Sequence, residues 1–179
     1  MRVAAYCGAR WALQLDKALG IESMRCPPYS ADHLPEMAAD VLVLKLHGIE
    51  NANGLWGEDE DDGPLLALEA RQVAMLDLQA TAVFALVCDF ADTDMVEAFR
   101  QAGTAALIGS DEPQGGGGNT LSGTDIVASR FCEAMGAGKT VGEALSYAKQ
   151  DWRLWLTLSG WRTRSLKVLW GQDWRIRNV

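Results

Sequence analysis

The chain has 179 residues, 49% of them hydrophobic and 22% charged, which is enough for one domain with a full core and short for two. A net charge of −8 argues against nucleic acid as a partner, because phosphate binding rests on a basic surface. No apolar run approaches the roughly 18 residues of a membrane span, the start lacks the length and cleavage site of a signal peptide, and the expected location is the cytoplasm.

Residues 2–7 form a short apolar run ended by Gly8 and read as a strand. Ala9 to Leu19 carries a partial apolar face and stops at Gly20, as a helix does. Ile21 to Cys26 reads as a second strand, closed by Pro27-Pro28, and 29–39 as irregular chain containing His33. Val41 to Leu46 is the clearest buried strand, almost continuously apolar, and it ends at His47-Gly48. A polar stretch over 49–64 precedes a predicted helix from Pro64 to Leu78.

Ala82 to Val87 is a further buried strand and runs into Cys88-Asp89. Asp94 and Glu97 have the spacing of a capping box for a helix to Gln101, which stops at Gly103. Ala105 to Ile108 is another short strand, and Gly115 to Gly118 a flexible loop. Ser122–Met135 and Thr140–Leu154 have amphipathic helical patterns, and Ser165–Trp170 closes the chain as a strand. Strands alternating with helices predict a single α/β domain over 1–179 with a mostly parallel sheet.

Two apolar strands therefore end in reactive side chains, at His47 and at Cys88. In open parallel sheets, sites form beyond the carboxyl ends of the strands. If the two strands are parallel neighbours they lie about 4.8 Å apart, and the two tips would be within side-chain reach. A thiol needs a base or a cation beside it to ionise, and an imidazole supplies one. Gly48 lets substrate approach the backbone, and the N–H groups of Gly48 and Cys88 are candidates for an oxyanion hole.

The same residues resemble a family. Val41 to Gly48 looks like the histidine strand of caspase-like cysteine peptidases, nearest to CHAT domains and gingipain-type proteases. Ala85 to Asp89 looks like the strand that ends in their nucleophile. Phe99–Gly109, Gly138–Ala148 and Val168–Ile176 are similar to three later segments of that family, in the correct order. The resemblance implies a caspase-like three-layer sandwich with a mostly parallel central sheet flanked by helices. It also implies a His–Cys dyad that hydrolyses peptide bonds, with His47 as general base or acid and Cys88 as nucleophile. The chain departs from the family at Val87, at Asp89-Phe90-Ala91-Asp92 and at Gly171-Gln172-Asp173.

Other features carry competing readings. Asp89 and Asp92 are candidates for holding a basic substrate side chain, and equally for capping the next helix. Glu58, Asp59, Asp61 and Asp62 offer hard oxygens that suit calcium, but without EF-hand spacing, and a solvated hairpin tip is the simpler account. Gly136-Ala137-Gly138-Lys139-Thr140 imitates the end of a phosphate-binding loop; Glu133 replaces the required glycine, and a turn between helices fits better. Four scattered cysteines and two histidines do not make a structural zinc site. Trp152, Trp155, Trp161, Trp170 and Trp174 read as packing for the last helix and strand. The expected partner is a peptide or protein substrate, with a silent CHAT-like regulatory or defence module as the alternative. A ligand-binding α/β protein using the 115–118 loop is a third reading.

Overall fold

The structure of the protein, a computed structural model, describes every residue except 33–35, 49–52, 60–62, 115–120, 152, 155–159 and 177–179. A six-stranded sheet organises it. In chain order its strands are β1 (Val3–Gly8), β2 (Met24–Cys26), β3 (Val41–Lys45), β6 (Ala82–Ala85), β7 (Ala106–Gly109) and β8 (Lys167–Trp170). Between β3 and β6, β4 (Gly54–Asp59) and β5 (Gly63–Glu69) form a separate antiparallel hairpin. The order across the sheet is β2-β1-β3-β6-β7-β8, parallel throughout except for β8 against β7. The chain leaves β1 toward one edge to make β2, then crosses back to place β3 on the other side of β1. The switch point of the sheet thus lies between β1 and β3, where ligand crevices open in such folds.

Alternation along the strands divides the core in two. Val41, Val43, Phe84 and Ile108 face α1 (Ala12–Leu19), α4 (Gly123–Gly136) and α5 (Val141–Lys149). On that side Phe84 stacks on Phe131 with centroids 4.6 Å apart. Leu42, Leu44, Val83 and Ala85 face the other layer, built from the hairpin, α2 (Ala70–Val73) and α3 (Met95–Gln101). The result is an α/β sandwich with helices on both faces of a mostly parallel sheet.

Helix ends follow the local chemistry. Gly20 is left-handed (φ 68°) and caps α1. Ser122 with Asp125, and Thr140 with Glu143, form reciprocal capping boxes at α4 and α5. Residues 137–140 are the turn between these helices, with Gly138 left-handed at φ 81°. The predicted capping box at Asp94 does not form. Asp94 is itself helical (φ −62°, ψ −14°) and its side chain caps nothing, whereas a cap needs an extended backbone. The helix predicted to run to Leu154 ends at Lys149.

The largest correction is over 64–78. Leu65-Leu66-Ala67-Leu68 are good helix formers, yet they make β5, and only Ala70–Val73 is helical. Pairing outweighs propensity here. Leu68 lies opposite Leu55 and Leu66 opposite Trp56, after a turn in which Gly63 is left-handed (φ 68°). Leu55, Ala67 and Leu68 are thereby buried against the sheet. Among the described residues no helix is long and apolar enough to cross a membrane.

Candidate functional site

The register of β3 on β6 has a constant offset of 41 residues, from Val41 opposite Ala82 to Leu44 opposite Ala85. Leu86 N–H continues it by donating to the Leu44 carbonyl at 2.8 Å. Carried three residues past the last pair, the offset sets His47 opposite Cys88. Strand parity then decides which way they face. Val43, Lys45 and His47 alternate on one side, as do Phe84, Leu86 and Cys88. Lys45, His47, Leu86 and Cys88 all line one cavity of about 300 Å³ beyond the strand ends. Arg10 and Trp11, which follow β1, Glu58 from the hairpin, and Gln114 and Thr124 complete its wall.

His47 is held from three sides. Its N–H donates to the Trp56 carbonyl at 2.7 Å, and its carbonyl accepts from Trp56 N–H at 3.0 Å. Its imidazole meets the Trp11 ring edge-on, with centroids 4.7 Å apart. Its Nε2 lies 3.1 Å from Glu58 Oε2. The other oxygen of Glu58 accepts from Arg10 Nη1 at 2.8 Å. Partial burial pushes the Glu58 carboxyl up, but hydrogen bonds from Arg10 and His47 outweigh it and hold the group below the ordinary range. The acidic run is therefore not simply a solvated tip. Its first residue is a buttress for the imidazole, with one oxygen on the Arg10 guanidinium and the other on His47 Nε2. Residues 60–62, which carry the other predicted calcium ligands Asp61 and Asp62, lie outside the described residues, as does the Asp59 side chain. Among the described residues no group of three acidic, His or Cys side chains is arranged to hold a metal.

Gly48 is required by proximity. A Cβ there would sit 2.0 Å from the Cys88 carbonyl oxygen and 2.6 Å from Val87 Cγ1. The two strand tips touch because one of them has no side chain at this point.

Cys88 is half-buried, whereas Cys7, Cys26 and Cys132 are buried. Its sulfur accepts from Gln114 N–H at 3.2 Å and donates to the Gln114 carbonyl at 3.3 Å. Burial pushes the thiol up, the Gln114 amide pulls it down, Asp89 pushes it up and Arg162 pulls it down; the balance is upward. The surroundings of the resting sulfur therefore favour the thiol over the thiolate. Asp89 takes a left-handed conformation (φ 51°), which aspartate tolerates. Its side chain caps nothing. Neither Asp89 nor Asp92 lines the cavity, and Asp92 is exposed.

Two residues of the site escape a reading of strand ends. Lys45 is buried within β3, and its Nζ lies 2.5 Å from Oδ1 of the fully buried Asp125 and 3.4 Å from Ser122 Oγ. The signal was one lysine inside an otherwise apolar strand, in phase with His47. Gln114, beside the glycine run, had no signal at all. His33, Trp152, Trp155 and the 115–118 loop lie outside the described residues. Of the other late tryptophans, Trp170 donates Nε1–H to the Thr104 carbonyl at 3.2 Å, and Trp174 packs against the first core layer.

A scan against protein-family models and a search of curated proteins found nothing that matches this chain.

Proposed function

We propose that the protein is a cysteine endopeptidase of the caspase-like class, with Cys88 and His47 as its dyad. One observation carries this reading: with the 41-residue offset and the strand parity, His47 and Cys88 both line one cavity beyond the carboxyl ends of β3 and β6. With the surroundings of Cys88 favouring the thiol, proton transfer to His47 accompanies attack. Cys88 Sγ bonds to the scissile carbonyl carbon while the thiol proton passes to the imidazole. The carbonyl oxygen becomes an oxyanion, held by the Gly48 and Cys88 amides. The tetrahedral adduct collapses, the C–N bond breaks and His47 returns the proton to the leaving amine. His47 then takes a proton from water as the water oxygen bonds to the acyl carbon; the C–S bond breaks, the acid product leaves and His47 returns that proton to the Cys88 sulfur. Glu58 keeps the ring oriented throughout.

A second reading has its own support. The thiol is bonded to Gln114 and the imidazole to Glu58, and this arrangement also suits a catalytically silent CHAT-like module that binds a regulatory or defence partner. Peptidyl acyloxymethyl ketones with varied terminal residues separate the two. The peptidase labels at Cys88, the label vanishes in Cys88→Ala and falls in His47→Ala. A silent module gives no label at Cys88, or labelling indifferent to His47→Ala, and either outcome defeats the peptidase reading.

A further inference from the structure

We infer that Gln114 is a positioning residue that sets the reactivity of the Cys88 sulfur by fixing a main-chain N–H against it. The contact joins two separate parts of the chain. The Gln114 N–H donates to Cys88 Sγ at 3.2 Å. The same residue's side-chain Nε2 donates to Ser165 Oγ at 2.9 Å, to the Glu112 carbonyl at 3.3 Å and to the Arg162 carbonyl at 3.4 Å. Ser165 is tied in turn to Ser110 Oγ at 2.6 Å and donates to the Arg162 carbonyl at 2.8 Å. The segment after β7 is thus anchored on the 3-10 turn Gly160–Ser165, and its main chain at Gln114 is brought to the thiol.

A second observation marks the residue. Gln114 is only 6% exposed, yet its Oε1 is buried with no partner among the described residues. An oxygen buried without a partner among these residues is unfavourable, so packing against them does not by itself account for glutamine at this place. What the amide uniquely supplies is the Nε2 anchor, and what the anchor holds is the N–H at the sulfur.

A donor at 3.2 Å stabilises a thiolate more than a thiol. The charged groups that act on the sulfur are Asp89 beside it and Arg162 from the C-terminal turn, and His47, Lys45, Arg10 and Glu58 line the same cavity. Of the named protein groups, only Gln114 donates a hydrogen bond to the sulfur from another segment. The Gln114 carbonyl at 3.3 Å opposes it by favouring the protonated form, so ionisation exchanges a two-sided contact for the amide alone.

The test is alkylation of Cys88 by iodoacetamide from pH 6 to pH 10, followed by intact mass, in the full chain and in Gln114→Ala. Loss of the anchor lowers the rate about tenfold between pH 6 and pH 8 and moves the rise of the profile up by about one pH unit, so that the gap between the two proteins narrows toward pH 10. A purely covering role would instead raise the rate at every pH, and that result, or an unchanged profile, overturns the inference. Ser165→Ala removes the 2.9 Å contact from the other end and carries the same test if Gln114→Ala does not fold. Iodoacetamide reports the sulfur alone, so failure of the peptidase reading and failure of this inference are separate results.

Discussion

Nε2 of His47 and Oε2 of Glu58 are 3.1 Å apart, and this contact ties the end of β3 to the hairpin inserted between β3 and β6. It fixes the Nε2–H tautomer, because a carboxylate accepts and does not donate. Glu58→Gln removes the charge and keeps the shape. The expected result in 15N-correlated NMR is a mixed tautomer at His47, with a several-fold slower reaction of peptidyl ketones at Cys88. An unaltered imidazole spectrum would remove Glu58 from the site.

The four thiols should separate under native alkylation. Burial pushes Cys7 up to about 11 and Cys132 up to about 12, and Cys26 upward as well. Cys88 alone among them is half-buried and lines a cavity. Peptide mapping after brief treatment at pH 8 should find the label at Cys88 first. Preferential labelling of Cys26 or Cys7 would contradict the accessibility described here.

Lys45 and Asp125 form a buried pair, and removing one partner strands a charge in the core. Lys45→Met should cost roughly 3–5 kcal/mol, while the double replacement Lys45→Met with Asp125→Leu recovers most of that loss. Urea denaturation of the two single variants and the double variant measures the coupling. Additive losses would mean the two charges do not interact.

Asp151 gives a pH dependence with a definite sign. Arg153 reaches it at 2.8 Å and Arg130 at 2.7 Å, and they hold its carboxyl far below the usual range. A folded-state value below the unfolded one contributes stability that is complete above about pH 4–5 and is lost as acid protonates the group. Asp151→Asn should therefore lower the melting temperature at pH 7, by an amount equivalent to about 2 kcal/mol, and the difference should shrink toward pH 2. A gap that stays constant across that range would show that charge is not the cause.

The two central strands were legible because both are apolar on both faces, and only a strand buried between two layers needs that. The helix α1 was legible from its glycine stop, and α4 and α5 from their amphipathic spacing. The hairpin was not. Leu65 to Leu68 have no intrinsic preference for extended chain, and their partners Leu55 and Trp56 sit in a stretch that reads as polar loop. Asp94 failed for a related reason: the D-x-x-E spacing was present, but the backbone at Asp94 was already helical.

The sequence by itself determined that an imidazole and a thiol stand at the ends of two buried strands, since hydrophobic runs and their last residues are local facts. Only the tertiary structure decided that these strands are neighbours with a 41-residue offset, that Glu58 and Gln114 are the groups bonded to the imidazole and the thiol, and that Lys45 is balanced by Asp125. Those relations join residues from 11 to 80 positions apart. Their energies come from contacts that exist only after the chain has closed, so no local pattern encodes them.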